Sequence, residues 1–194
     1  MVRRAYVEYP DGKLMLRKAE PEGLEFLRSS DFNSRFINTS VGPDGCLYVT
    51  DMYRGIIQDA PWFNGPNRGF ARKTGVNKHI QMGRIWRIRH KDHRPYQEKP
   101  QMLTESTEAL VRHLQNPIGW WRDTAQKLIL LRNDREKAIP LLTGLFRFTQ
   151  SPLPRIHALW ILDGMKALTP EIKREALSDR AAEIRRTMVQ IIEL

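Results

Sequence analysis

The sequence predicts an α+β protein in two parts, with short strands over residues 1–90 and an α-solenoid of about three helix pairs over 103–194, joined by a linker at 91–102. Three observations carry this reading. Alternating apolar residues broken by Gly/Asp turns fill the first half. Beyond residue 102 the apolar period becomes helical, and it recurs at intervals of 33 and 30 residues. Between the halves lies a polar stretch holding Pro95 and Pro100.

The strands come first. Ala5-Tyr6-Val7-Glu8-Tyr9 and Lys13-Leu14-Met15-Leu16-Arg17 flank Asp11-Gly12, a pairing that suits a hairpin. Phe36 to Val41 leads through Gly42-Pro43-Asp44-Gly45 into Cys46-Leu47-Tyr48-Val49-Thr50-Asp51. In that turn proline presets φ and glycine supplies the positive φ that other residues resist. Gly55-Ile56-Ile57-Gln58 and Gly83-Arg84-Ile85-Trp86-Arg87-Ile88 read as two further short strands. This pattern suits a piece of a sandwich, barrel or propeller. Residues 59–82 interrupt it with Pro61, Gly65, Pro66, Gly69 and Gly75, and read as a long loop of the kind found at binding faces.

The second half repeats. Arg122-x-x-Ala125-x-x-Leu128-Ile129 recurs as Arg155-x-x-Ala158-x-x-Ile161-Leu162 and as Arg185-x-x-Met188-x-x-Ile191-Ile192. Each run makes one buried helical stripe. Apolar-periodic segments near 103–115, 134–148 and 170–178 precede the three stripes, so the helices come in pairs. Thr104, and Thr169 followed by Pro170, read as helix starts. Pro117, Pro152 and Pro154 punctuate the connections.

Composition narrows the chemistry. The chain has 194 residues, 41% hydrophobic and 28% charged, which suits a packed protein. No apolar run reaches the roughly 18–20 residues of a membrane span. The single cysteine, Cys46, leaves no internal disulfide, no cysteine-cluster zinc site and no C-x-x-C-H haem attachment in this chain. It sits in a strand with no histidine nearby in sequence, which argues against a nucleophile. Met1-Val2-Arg3-Arg4 is followed by strand material and not by an apolar signal core.

The net charge is +10. Residues 1–100 hold 18 Lys/Arg against 11 Asp/Glu, giving +7, and the remainder holds 14 against 11, giving +3. Residues 68–94 alone carry nine basic residues against Asp92. Without interleaved aromatic platforms, this cluster reads as a solvated face more readily than as a nucleic-acid surface. His90 and His93 lack the i, i+4 spacing of a helical metal site. His157 falls in a stripe helix, and Trp120 with Trp121 reads as a staple between helices.

The run from Gly42 through Asp51-Met-Tyr-Arg-Gly-Ile-Ile-Gln58, closing with Gly83-Arg-Ile-Trp-Arg-Ile88, resembles the final blade of the glucose/sorbosone-dehydrogenase-like β-propellers. The closest likeness is to their large bacterial membrane-bound dehydrogenase type, in which HEAT repeats and often a c-type cytochrome domain follow the propeller. Asn116-Pro-Ile-Gly-Trp-Trp-Arg-Asp-Thr-Ala-Gln126 and Pro154-Arg-Ile-His-Ala-Leu-Trp-Ile-Leu162 resemble that type's first HEAT repeats. The resemblance spans roughly residues 22–194. It implies a partial β-propeller blade region followed by a HEAT-like, armadillo-type solenoid, in a segment of a longer quinoprotein of the periplasm or cell exterior. Relatives bind pyrroloquinoline quinone at the propeller's central face and oxidise sugar-type alcohols or aldehydes. The implied partners are the rest of the propeller, a cytochrome c domain or other electron acceptor, and a small sugar-type substrate. The pattern departs at Asp59, where a histidine is expected, and the blades that supply the catalytic base lie outside this sequence.

Three residues are candidates for the cofactor side. Asp51 reads as a calcium ligand, because a carboxylate is a hard oxygen donor, or as a strand-ending turn former. Tyr53 reads as a ring stacked on a planar cofactor or as a packing aromatic. Arg54 reads as a bidentate clamp on a cofactor carboxylate or as a structural partner of Asp51. Two other functions compete with the dehydrogenase reading: a non-catalytic protein-binding α-solenoid, and a basic HEAT protein that binds nucleic acid.

Overall fold

The computed structural model describes residues 1–10, 13–57, 65–96 and 99–193. The Asp11-Gly12 turn, Gln58, Asp59 and Pro61 therefore lie outside the described residues. The described chain is α+β, with seven α-helices, two small antiparallel sheets and no closed barrel. It divides into two compact units: Met1–Ser40 with Cys46–His93, and Val41–Gly45 with Arg94–Leu194.

In the first unit, β1 (Ala5–Glu8) pairs antiparallel with β2 (Met15–Lys18), Ala5 opposite Lys18 and Glu8 opposite Met15. Arg17 closes this hairpin by pairing with Glu8 at 2.7 Å and lying over the Tyr6 ring. The second sheet runs β3 (Phe36–Val41), β4 (Leu47–Asp51), β5 (Arg84–Ile88). Being central, β4 buries Val49 and Asp51, whereas Ile37 on β3 and Ile85 and Trp86 on β5 stay exposed.

Two expectations are corrected here. No strand forms over 52–57. The Asp51 carboxylate accepts from the Tyr53 N–H at 3.0 Å, and Tyr53 takes φ 48°, which turns the chain off the sheet line. The Gly55 carbonyl then accepts from Arg35 Nη2 at 3.1 Å instead of joining a ladder. The loop expected over 59–82 holds a helix, α1 (Pro66–Thr74), followed by a 3₁₀ turn at Val76–Lys78. Pro66 opens α1 and Gly75, at φ 69°, closes it, so the residues that read as loop punctuation are helix ends.

The second unit contains α2 (Thr107–His113), α3 (Gly119–Arg132), α4 (Arg135–Phe148), α5 (Pro152–Gly164), α6 (Pro170–Leu177) and α7 (Ala182–Glu193). The segments expected to be helical each hold a helix. The three Arg-led stripes are α3, α5 and α7. The helices pack as neighbours α2 with α3, α4 with α5 and α6 with α7, and α3, α5 and α7 pack in series. One apolar core runs through them, with Trp121, Leu142, Phe146, Leu159, Leu162 and Met188 fully buried. Leu128 is only half-buried and Ile192 is exposed, so the first and third stripes are narrower than their sequence pattern, whereas the second is buried at all four positions.

The repeated arginines have a structural job. Arg122 Nη1 donates to the carbonyls of Asn116 and Pro117, and Arg185 Nη1 donates to those of Asp179 and Arg180, at the same six- and five-residue spacings. In both loops the Asn116 or Asp179 side chain accepts from the N–H two residues on. Arg155 stands in the same place, but the residue six before it is Thr149. Arg155 is buried, bonds the Phe146 carbonyl at 2.8 Å and pairs with Asp179 of the next repeat.

The helix starts follow local chemistry. Thr169 caps α6 by accepting from Ile172, as expected. Thr104 does not cap α2; it donates to the Gln101 carbonyl at 3.0 Å, and Ser106 accepts from Ala109 instead. Pro140 lies inside α4, a position the sequence reading did not mark. Among the described residues no helix is long and apolar enough to cross a membrane.

Candidate functional site

The site forms where β4 ends. Asp51 is fully buried and takes five donors. Its Oδ1 accepts from the Arg35 N–H at 2.7 Å and the Tyr53 N–H at 3.0 Å. Its Oδ2 accepts from Ser34 Oγ at 3.1 Å, Trp86 Nε1 at 3.1 Å and Arg84 Nε at 3.2 Å. Burial alone would raise this carboxyl's pKa, but the bonds from Arg35, Trp86, Tyr53 and Arg84 outweigh it and hold the group at about 2. Asp51 therefore organises three strands and the loop beyond them.

This bears on calcium. Both oxygens are committed and a guanidinium already sits against one of them. A cation here would have to displace Arg84 and Trp86, so Asp51 in this arrangement does not fit a calcium ligand. Among the described residues no group of three or more His, Cys, Asp and Glu is placed to hold a metal ion.

Tyr53 is half-buried. The Arg84 guanidinium lies 4.0 Å from its ring centroid, and the His79 ring meets it edge-on at 6.1 Å. The nearby Asp31 carboxylate raises the phenol's pKa. Asp31 is itself held low, first by the Asn33 N–H and then by Tyr53. Arg84 serves two aromatics, since it also lies over Trp86 at 4.7 Å. His79 Nδ1 is buried and has no hydrogen-bond partner among the described residues.

Arg54 does not pair with Asp51; Arg84 holds that place. Arg54 is exposed, its Nε donates to the Ile56 carbonyl at 3.0 Å, and its terminal nitrogens have no partner among the described residues. The three candidates thus share one loop but divide the work: Asp51 anchors, Tyr53 is held, and Arg54 is presented to solvent.

The sequence reading missed Arg84, Trp86, Ser34, Arg35 and Asp31. A signal for two of them existed. In a β4–β5 ladder Asp51 falls opposite Arg84, and Trp86 is two residues on, so both lie on its face. Ser34 and Arg35 carry no such mark.

Residues 1–92 match a family described as a domain of unknown function, DUF7133. The match covers the sheets and α1 but stops short of α2 to α7, so it speaks for the first half alone. Neither curated proteins nor solved structures yield a match to the chain.

The other singled-out residues have packing roles. Trp121 is fully buried, donates Nε1–H to the Pro43 carbonyl at 2.9 Å and stacks on His113 at 4.9 Å. Trp120 meets Trp121 edge-on. His157 bonds Gln126 at 2.6 Å, and burial lowers its pKa. Cys46 is buried. His90 lies near Asp92 and is exposed.

Proposed function

We propose that this chain is the closing sector of a quinoprotein-type sugar or alcohol dehydrogenase, a terminal propeller blade followed by a HEAT-like docking solenoid. The observation that carries the reading is the loop after β4. Asp51 fixes it through the Tyr53 N–H, and it presents the exposed Arg54, whose terminal nitrogens have no partner among the described residues, beside a rigidly held ring. An exposed guanidinium in this position suits a carboxylate of a planar quinone cofactor. Arg54 would hold that carboxylate, and the exposed surface of Tyr53 would border the ring. Pyrroloquinoline quinone, when bound, supplies the electron sink for alcohol or aldehyde oxidation. Calcium would take ligands other than Asp51.

The exposed apolar residues of the strands support the same reading. Val7, Leu16, Ile37, Ile85 and Trp86 stand at 43–68% exposure on sheet faces, where the flanking sheets of a ring would cover them. In this account electrons pass to a cytochrome c domain or another acceptor, and the assembly works in the periplasm or outside the cell.

The test is dye reduction by the full gene product carrying this segment, reconstituted with pyrroloquinoline quinone and calcium and offered aldoses and polyols. Cofactor-dependent reduction that falls in an Arg54→Gln variant is expected. No cofactor-dependent reduction with any of them overturns the catalytic reading and leaves the α-solenoid as a protein-binding module.

A further inference from the structure

We propose that a groove on the outer flank of α3 docks an amphipathic helix of a partner protein, apolar on one face and acidic at the edges of that face. This deepens the docking-scaffold part of the reading above and does not depend on its cofactor.

The groove belongs to the helical unit. Residues 100–104 form one wall and Trp120, Thr124 and Leu128 of α3 the other, around a volume of about 590 Å³. The first wall is tied to α3. Arg132 Nη2 donates to the Met102 carbonyl at 2.7 Å and to the Leu103 carbonyl at 2.8 Å, and Met102 is buried. The wall cannot fold down onto Leu128 without giving up these bonds, so the groove is preformed. Its rim is apolar, because Leu103 and Leu131 are each 80% exposed.

The repeat says what kind of element fits. A shift of 33 residues sets Thr124, Leu128 and Leu131 on His157, Ile161 and Gly164 of α5. A further 30 sets the first two positions on Thr187 and Ile191 of α7. On α5 this ridge lies against α3: His157 bonds Gln126 at 2.6 Å, and a Cβ on Gly164 would meet the Leu130 side chain at 2.8 Å. Ile161 between them is fully buried. On α7, which packs on α5, Thr187 and Ile191 are buried as well. On α3 the same ridge meets residues 100–104 instead of a helix, and Leu131 is left in solvent. Trp120, Thr124, Leu128 and Leu131 share one helix face and run along roughly 16 Å of axis, three turns of a docked helix. Such a helix continues the α3–α5–α7 series by one member.

Charge selects its flanks. Lys127 stands one turn from Leu131, and Lys99 adjoins Pro100. Both are exposed and have no ion-pair partner among the described residues. The acids within 99–105 and 119–132 are Glu105 and Asp123, which lie against His113 at 2.7 Å and His157 at 4.0 Å. Uncompensated cations beside an apolar ridge favour a helix with Asp or Glu next to its apolar stripe.

The experiment titrates the full chain with labelled, stapled synthetic helices and follows fluorescence anisotropy. One has a leucine stripe with Glu flanks, one the same stripe with Lys flanks, and one is a scramble of the first. Saturable binding of the Glu-flanked helix is expected, with the other two weaker by about tenfold or more. Leu131→Glu is expected to weaken the Glu-flanked helix at least about tenfold with unchanged circular dichroism. If that variant does not fold, Leu103→Glu provides the readout. Lys127→Glu should narrow the preference for Glu over Lys flanks, and Val189→Glu, at an exposed position of α7, should leave binding unchanged. The proposal is overturned by no saturable binding, by equal binding of the scrambled or Lys-flanked helix, or by unchanged binding in the folded groove variants. Self-association of the chain that Leu131→Glu abolishes, seen by sedimentation, would assign the face to a second copy and overturn it too. So would anilinonaphthalenesulfonate binding that Leu131→Glu abolishes while no helix binds, which would make the groove a small-molecule site. Helix binding without quinone-dependent oxidation sinks the dehydrogenase reading alone. Oxidation without helix binding sinks this inference alone.

Discussion

Asp51 and Arg84 stand directly opposite each other in the β4–β5 ladder, and the Arg84 Nε–H bonds Asp51 Oδ2 at 3.2 Å. The same guanidinium covers the rings of Tyr53 and Trp86. One cross-strand pair therefore fixes the end of β4, the start of β5 and the loop that presents Arg54.

Asp51→Asn is expected to cost about 2–3 kcal/mol, because a neutral amide loses the charge-assisted bonds and turns an N–H₂ toward Trp86 or Arg84. Chemical denaturation followed by tryptophan fluorescence checks this. A cost near zero would mean that the five donors do not organise the site.

Acid stability follows from the same group. Its folded pKa of about 2 lies below the unfolded value of about 3.9. The stabilisation is therefore present above pH about 4 and is lost as pH falls toward 2, on the order of 2 kcal/mol in all. Asp179 is depressed too: burial opposes the shift, and the Arg155 and Ala181 bonds outweigh it, so the sign is the same. An acid titration of unfolding should show a transition in this window that weakens in Asp51→Asn.

In the helical unit the corresponding test is Arg155. Arg155→Met leaves Asp179 nearly buried without its cation and is expected to cost about 3–5 kcal/mol. An Arg155→Met/Asp179→Asn double variant should recover most of that loss, because the neutral amide leaves no orphaned charge and its Oδ1 still accepts from the Ala181 N–H. Thermal unfolding of the single and double variants measures the difference. A double variant no better than the single would refute the charge-pair account.

The helical half was largely legible in the sequence, because packing there is periodic. The Arg-led stripes put their small and apolar residues at helical spacing, and Thr169-Pro170 carries its own cap chemistry. Thr104 and Ser106 show the limit: two hydroxyl residues two positions apart compete for one cap, and only the turn geometry selects Ser106. In the β half, alternation located every strand that forms. It also suggested one over 55–58 that does not form at Gly55–Ile57, since Tyr53's positive φ is imposed by Asp51 from outside that window. Helix α1 was hidden because Pro66, Gly69 and Gly75 read as breakers when two of them are its ends. The site was half legible. Asp51, Tyr53 and Arg54 were found as neighbours in sequence, whereas Arg35 and Arg84 reach Asp51 only through pairing across 16 and 33 residues.

The most direct test of the central proposal is equilibrium binding of pyrroloquinoline quinone to the full gene product, wild type against Arg54→Gln, followed by the cofactor's absorbance. The account expects saturable binding in the wild type and about tenfold weaker binding in the variant, from loss of one charge-assisted carboxylate contact. Absence of saturable binding, or equal affinity in the two proteins, would contradict it.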